Sequence, residues 1–362
     1  MKRYIQLAVP VLMAAACTDG RQSSPTAPEF KAASARHVSA SIAVLNLPSL
    51  GGSSTARAIN DDQVIVGSSN GLPVKWTLVS GTWTPQTLQT TPGAAEDITE
   101  LGVIVGSSGS SVVLWTPGRD VAEIVGSGSP RAIDNEAKVV VGVDHSAAVG
   151  NGAIAWTRSG VGASWVPHVL LSGPPFTGGY SEPEDINDDG VIVGFAAPPN
   201  GSTYAVKWVP SVSATGTRTG EWDAAVPLDD VAAASPGGAN AIVGQEIVGE
   251  VLRCFGGCYP ERDPRRWFLT GQGSGSLGGQ DAWGEGLNDQ GSIVGSLNYR
   301  GIHAFVWTAA NPTIRDMGAP NGFQSASAYD INSPKGTRTA SQAVGEASAR
   351  NGRRAAVLWT IP

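Results

Sequence analysis

A phrase that this chain repeats restricts its fold more than any other feature. At 185–194 the sequence reads DINDDGVIVG, and relatives of those ten residues recur along the chain. The first copy is Ile59-Asn60-Asp61-Asp62-Gln63-Val64-Ile65-Val66-Gly67, the second runs Ile98 to Gly106 and the third Ile133 to Gly142. The fourth ends at Gly194, the fifth keeps only Glu246-Ile247-Val248-Gly249, and the sixth runs Leu287 to Gly295. The seventh opens with Ile331-Asn332, takes an insertion and resumes at Ala343-Val344-Gly345. Each copy is followed by a short segment ending in Trp, at Trp76, Trp115, Trp156, Trp208, Trp267, Trp307 and Trp359. These seven of the eleven tryptophans stand 39 to 59 residues apart. Periods of roughly 40–50 residues, with several short strands in each, point to β-propeller blades.

The physics of one unit is readable from its residues. A strand ends in Ile-Asn. Asn-Asp-x-Gly then makes a tight turn, because Asn and Asp bond their own backbone and Gly tolerates positive φ. The β-branched Val-Ile-Val strand returns as a hairpin, and its unbroken apolar run predicts burial on both faces between stacked sheets. The Trp strand pairs next, and a fourth, such as Thr313-Ile314-Arg315-Asp316-Met317, completes the blade. Small residues precede Ile-Asn at Ser54, Ala56 and Ala58 and at Ser325 to Ala328, which places that strand innermost, around a channel. Composition agrees: 47 Gly and only 15% charged residues, against about 25% in an average domain, suit an all-β fold. The last unit ends at Pro362 one strand short. Ile42-Ala43-Val44-Leu45-Asn46-Leu47 reads as the missing strand, so the expectation is a seven-bladed β-propeller closed by its N-terminal strand against the strand ending at Trp359.

The sixth unit contains Gly301-Ile302-His303-Ala304-Phe305-Val306-Trp307-Thr308, with Leu277-Gly278-Gly279 upstream of its repeat phrase. This unit resembles the bacterial extracellular HAF repeat, and seven copies cover about residues 45–362. Only the sixth keeps the literal His-Ala-Phe; the first has Pro73-Val74-Lys75 and the fourth Ala205-Val206-Lys207. The resemblance implies an exported repeat protein and brings no catalytic residues with it.

The N-terminus reads as a targeting segment. Lys2 and Arg3 precede an apolar run from Tyr4 to Ala16, too short to span a bilayer. Small residues before Cys17 resemble the bacterial lipoprotein lipobox, with Ala14 where that pattern usually has Leu. Residues 1–16 are then a signal peptide, Cys17 the lipidated residue, and 18–40 a Ser/Ala/Pro-rich tether to a domain spanning 41–362. An ordinary A-x-A cleavage site is the alternative. The reading makes the chain a lipoprotein anchored at the outer membrane, facing the periplasm or cell surface, touching the membrane only through its lipid. A net charge of −7 gives no basic footprint for nucleic acid.

Candidate chemistry is sparse. Asn187-Asp188-Asp189-Gly190 could hold calcium, but the other copies vary freely at its acidic positions, as a turn allows. Gly273 to Gly278 matches G-x-G-x-x-G yet opens no helix, so it predicts no phosphate cradle, and no cofactor is implied. His37, His145, His168 and His303 form no cluster at metal-ligand spacing, and His303 sits at a repeat position that favours a structural role. Cys254 and Cys258 in one short loop of an exported chain suggest a disulfide; half of a metal site is the alternative.

The loops joining second to third strands are expected to be longest in units three to five: Asp144 to Asn151, Ala196 to Tyr204 and Glu250 to Arg265. Long loops on a rigid scaffold are where recognition usually sits. Tyr204, Phe255, Tyr259, Arg262, Arg265 and Arg266 therefore form the candidate binding flank, for a surface glycan or a protein partner. Insertion drift, with the arginines paired to Glu261 and Asp263, is the competing account. The function so read is a monomeric binding or scaffold module. The alternative is a periplasmic or surface enzyme acting on a polysaccharide or small molecule, which would need titratable groups converging at one channel mouth.

Overall fold

The computed structural model describes residues 41–362 except 146–151, 161, 230–234, 256–258, 272–273 and 280, and omits the side chains of 254, 255, 259 and 260. Among the described residues the chain forms seven four-stranded antiparallel sheets and one two-stranded hairpin, with no helix. Each four-stranded sheet is one blade; six are laid down in chain order from an inner to an outer strand, and the seventh takes its outer strand from the start of the domain. The inner strands are Ser54–Ile59, Ala95–Ile98, Ser129–Ile133, Tyr180–Ile186, Gly237–Val243, Ala282–Leu287 and Ser325–Ile331. They touch one another in sequence, and the seventh touches the first, so they enclose an axis. The architecture is a seven-bladed propeller, as the repeat predicts.

Closure follows the expected route. Ala43–Asn46 pairs antiparallel with Arg354–Ile361, with Val44 opposite Trp359. Leu47 is buried just beyond it and donates its N–H to the Ala356 carbonyl at 2.9 Å. The first strand of the domain is thus the outer strand of the last blade, and the pairing covers an edge that would otherwise template aggregation.

Each repeat residue now has a physical task. The Trp side chains are buried between neighbouring sheets. In four blades the indole N–H also ties the blade to the chain arriving from its predecessor. Trp76 donates to Pro48 O at 2.7 Å, Trp208 to Leu171 O at 3.0 Å, Trp359 to Gly318 O at 3.0 Å and Trp267 to an Asp229 carboxylate oxygen at 3.0 Å. The Asn of Ile-Asn works twice. Asn187 accepts the Val191 N–H at 2.8 Å, closing its own turn, and donates to Gly244 O of the next blade at 2.6 Å. Asn60, Asn288 and Asn332 repeat the arrangement, reaching Thr99 O, Asn332 O and Asn60 O in turn.

The glycine that ends each copy answers to a β-bulge. Every inner strand has one register shift, between 56 and 58 in the first blade and at the matching place in the other six. The bulge presses an inner-strand carbonyl onto the second strand. A Cβ at Gly67 would lie 2.1 Å from Thr55 O, and one at Gly194 2.1 Å from Glu182 O. The same holds at 106, 142, 249, 295 and 345.

The structure departs from the sequence reading in blade five. Glu250 to Arg265 is not a loop: Glu246–Phe255 and Tyr259–Phe268 are ten-residue strands paired through Phe255 opposite Tyr259. The blade's outer strand, Gly275–Ser276, pairs only with Arg265 and Arg266, so the hairpin's far half stands clear of its sheet. That freedom accommodates Pro260, which cannot donate to a ladder flanked on both sides, while Pro264 sits at the sheet's edge with its carbonyl accepting the Leu277 N–H at 2.9 Å. The fourth blade also carries an extra hairpin, Pro210–Val212 with Arg218–Trp222, before its outer strand Val226–Pro227.

Two outcomes are expected. Leu47→Ala should cost about 2–4 kcal/mol, read by denaturant unfolding, because it leaves a cavity at the ring's closure. Gly194→Ala should lower the melting temperature by several degrees, since an added methyl meets backbone. Wild-type melting in either variant would contradict the corresponding contact.

Candidate functional site

A cavity of about 590 Å³ opens on the axis where the inner strands end, and every blade contributes to its wall. Its lining holds nine carboxylates and, among the described residues, no Lys or Arg. Asp61, Glu100, Asp188, Asp189, Glu246 and Asp289 lie on or beside the turns. Asp97, Asp185 and Asp330 sit deeper, each immediately before the Ile of its repeat phrase.

The deep aspartates join neighbouring blades. Asp97 accepts the Ile133 N–H at 2.9 Å, Asp185 that of Ile242 at 2.7 Å, and Asp330 that of Ile59 at 2.8 Å. The other oxygen of each accepts the N–H of its own next residue, at 2.7 Å for Asp97 and 2.8 Å for the other two. Blades two, four and seven carry Asp here, and blades one, three and five carry Ala58, Ala132 and Ala241. Blade six has Gly286, where a Cβ would lie 2.7 Å from Tyr329 O. Burial pushes the Asp97 carboxyl up to about 7 and the Asp330 carboxyl to about 6, against the opposing pull of their backbone donors. Asp185 is raised well above the usual range, by burial first and the negative charge of Asp97 second.

The turns are linked around the rim. Asp289 N–H donates to Ser333 Oγ at 3.2 Å, and Ser333 N–H to Asp61 Oδ1 at 2.7 Å. Asp61 N–H donates to the Glu100 carboxylate at 3.2 Å, and Glu100 N–H to Asn135 Oδ1 at 3.0 Å. Asn135 donates in turn to Asp188 Oδ1 at 3.0 Å. Among the described residues the cations stand around the rim: Lys335 meets Asp62 at 2.8 Å, Arg218 meets Asp189 at 3.7 Å, Arg266 meets Glu246 at 2.7 Å, and Arg338 donates to the Asp61 carbonyl.

Beyond the deep aspartates the channel is lined by the bulge residues Arg57, Glu96, Arg131, Glu184, Asn240, Glu285 and Tyr329. Arg57 pairs with Glu96 at 3.6 Å and lies over the Tyr329 ring at 5.0 Å; Arg131 pairs with Glu182 and, at 3.7 Å, with Glu184. A bulge re-aims one side chain per strand, and here it aims seven at the axis.

Of the candidate flank, the side chains of Tyr204, Arg262, Arg265 and Arg266 are described, and each meets a different neighbour. Tyr204 is half-buried against Phe176, with ring centroids 6.0 Å apart. Arg265 faces Asp229 at 3.6 Å, and Arg266 lies on the cavity side of its blade against Glu246 and Phe268. Arg262 lies over the Trp283 ring at 4.5 Å. Asp263 pairs with Arg253 at 2.8 Å. Cys17 and Cys258 lie outside the described residues, as do the side chains of Cys254, Phe255 and Tyr259. His303 pairs with Asp316 at 2.8 Å, bridging third and outer strands. The Asn187 turn is closed by its own backbone, Gly190 N–H to Asn187 O at 2.8 Å. The deep aspartates escaped sequence reasoning, although Asp before Ile in three units and a small residue in the other four is visible once the units are stacked.

No family model and no curated protein matches this chain. Solved structures do. The extracellular domain of a one-component system from B. thetaiotaomicron superposes with a TM-score of 0.50 at 10% identity, covering 88% of this chain and 40% of that one. A structure of prolyl endopeptidases superposes at 0.50 with 8% identity, covering 86% and 50%. The chain thus spans about half or less of the length of these proteins. At such identities the likeness is one of fold, and with the seven closed blades it places the protein among the seven-bladed β-propellers.

The raised carboxyls make stability depend on pH in a definite direction. Asp97, Asp185 and Asp330 bind protons more tightly folded than unfolded, where an Asp titrates near about 3.9. Their stabilising contribution is complete below about pH 4 and is lost as pH rises through 6 to 7. Melting temperature should therefore fall between pH 5 and pH 8. The Asp97→Asn, Asp185→Asn, Asp330→Asn triple variant should show a flatter profile, measured by calorimetry across that range.

Proposed function

We propose that this protein is a monomeric, exported, lipid-anchored binding module of the HAF-repeat kind, whose axial mouth captures a cationic group. The observation that carries the reading is the axial cavity, with nine carboxylates drawn from six of the seven blades and, among the described residues, no basic side chain in its lining. Low-dielectric walls focus such a field and raise the local concentration of a positively charged ligand. Among the described residues no three His, Cys, Asp or Glu side chains are grouped to hold a metal ion. The charge is spread around a ring, which suits an extended organic cation, such as a polyamine or a basic segment of a partner protein. The same field repels the phosphates of nucleic acid. Binding is preferred to catalysis because both oxygens of each deep aspartate are committed to backbone N–H groups that hold the inner strands. Lys2-Arg3, the apolar run and the small residues before Cys17 support export and lipidation, and 18–40 supplies the tether between anchor and propeller.

Isothermal titration of the purified chain with spermidine tests the reading, with a neutral triol of similar length as the control. Binding is expected at low salt, weakening as ionic strength rises. It should also strengthen from pH 5 to pH 8 as Asp97 and Asp330 lose their protons. Glu100→Gln with Asp289→Asn, two rim changes, should weaken it about fivefold, on the order of 1 kcal/mol. No binding at low salt, or equal affinity in the double variant, rejects the axial mouth as the site.

A further inference from the structure

Four repeat tryptophans bond the chain arriving from the preceding blade; Trp115 does not. It is 8% exposed, and its indole nitrogen is buried without an acceptor. The bonded indoles show where that acceptor belongs. Pro48, Leu171, Asp229 and Gly318 each follow a residue whose N–H is tied to the third strand of the preceding blade. Leu47 donates to Ala356 O at 2.9 Å, Leu170 to Ala153 O at 3.0 Å, Leu228 to Ala205 O at 3.0 Å and Met317 to Ala304 O at 2.8 Å. Leu88 makes the same bond, to Pro73 O at 2.9 Å, so Gln89 is the counterpart residue, yet it does not accept from Trp115. The connection from Leu88 to Ala95 is two residues shorter than that from Leu47 to Ala56, so less chain is available to pass beside the indole.

A cavity of about 310 Å³ lies at this place. Leu88 and Gln89 wall it from the connection, and Ser111, Val113 and Trp115 from the third strand of blade two, Ser111–Trp115. Those three alternate residues share one face of the sheet, and Ile124 of the outer strand, paired with Val113, shares it too. Val113 and Trp115 pack with Ala58 and Val66, so this face is turned to blade one. The residue at the place of Ile124 is polar in four blades: Asn46, Thr87, Ser276 and Asp316. In blade two it is Ile124, 69% exposed, and Val121 on the same cavity is 79% exposed. Apolar surface left in water and a buried donor left without an acceptor thus border one space. Each is unfavourable alone, and one ligand can relieve both.

We infer that this interblade cavity binds a small neutral molecule with an apolar body and a carbonyl oxygen, an acyl amide or ester, whose oxygen accepts the Trp115 indole N–H. The body lies against Val113, Val121 and Ile124. The oxygen takes the role that Pro48 O, Leu171 O and Gly318 O have in other blades. The indole nitrogen is covered, so the Gln89 side chain, held by one bond of 3.3 Å to Thr91 O, gives way as the ligand enters. Charge selects against ions: a carboxylate would meet Asp120, and an ammonium would bring donors to a donor. The volume lies at the small end of ligand pockets, which run from about 300 to 1,000 Å³. The site shares no residue with the axial cavity and does not depend on it.

The test follows the indole N–H signals of the purified, isotope-labelled chain by proton–nitrogen correlation NMR. The Trp115 signal is the one missing from Trp115→Phe. N-hexylacetamide is the probe, with hexanoate and hexylammonium as charged counterparts of similar length. The amide should move the Trp115 signal downfield in a saturable titration, with a Kd of about 1 mM or tighter, and each ion should bind at least about fivefold more weakly. Ile124→Ala, a change at an exposed position, should weaken amide binding about fivefold, and Ser111→Leu, which fills part of the cavity, about tenfold. Spermidine binding and melting in these variants report separately on the axial mouth and on folding. The inference is overturned if the amide leaves the Trp115 signal unmoved, if either ion binds more tightly than the amide, or if Ile124→Ala and Ser111→Leu both titrate like wild type.

Discussion

In every blade the inner strand carries one extra residue, and the consequences of that bulge run through the whole molecule. The strand bends at the bulge, and the carbonyl two residues ahead of the extra residue lies against the second strand, where a Cβ would collide. Glycine is therefore held at that place in all seven units. The extra residue is turned toward the axis, which gives the channel its belt of charged and polar side chains. The residue after it is Asp, Ala or Gly according to what the neighbouring inner strand leaves room for and needs bonded. One backbone irregularity, repeated, thus sets the glycine of the repeat, the lining of the channel and the joints between inner strands.

Those joints differ along the axis. At the turn end the blades are tied by side chains that accept or donate to backbone: the Asn amides, the deep aspartates and the chain of hydrogen bonds from Asp289 to Asp188. Backbone N–H groups at this end need acceptors, and carboxylates supply them at the cost of a concentrated negative charge. Burial answers by raising the carboxyl pKa values, so the cavity holds its charge in proportion to pH. In blades two and three, Thr99 and Asp134 stand where Asn would be and cannot donate an amide N–H onward; Asp97, accepting from Ile133, and Asn135, donating to Asp188, carry those joints instead. At the periphery the tryptophans do the equivalent work, each filling the space between sheets, and in four blades the indole also bonds the incoming chain.

The charge distribution follows from the same geometry. The axial cavity collects acidic side chains from turns whose sequence must favour Asn and Asp for conformational reasons, so an electrostatic site arises from residues chosen for their backbone behaviour. The opposite mouth lies where inner strands begin, and there Gly237 lies against the Glu250 carbonyl of its second strand while Gly238 borders Asn240, Glu250 and Phe195.

The number of blades, their strand order and the closing N-terminal strand were legible in the sequence, because each depends on local signals. Asn-Asp-x-Gly makes a turn whatever surrounds it, Val-Ile-Val must be buried, and a unit ending at Trp359 lacks a strand that Ile42 to Leu47 can supply. The extended hairpin of blade five was not legible, since Pro260 argues against strand unless the neighbouring sheet stops short, and only the tertiary arrangement shows that it does. The same limit hid both mouths. Arg57, Glu96, Arg131 and Glu184 look like scattered surface charges along the chain and become one belt only when the bulge turns them inward and the ring closes. Arg262, Arg265 and Arg266 are near neighbours in sequence, yet strand alternation and the ring send them to Trp283, Asp229 and Glu246. The sequence by itself determined what each unit is; which side chains meet was decided by the seven-fold closure, because contacts between units depend on angles and registers that no single unit encodes.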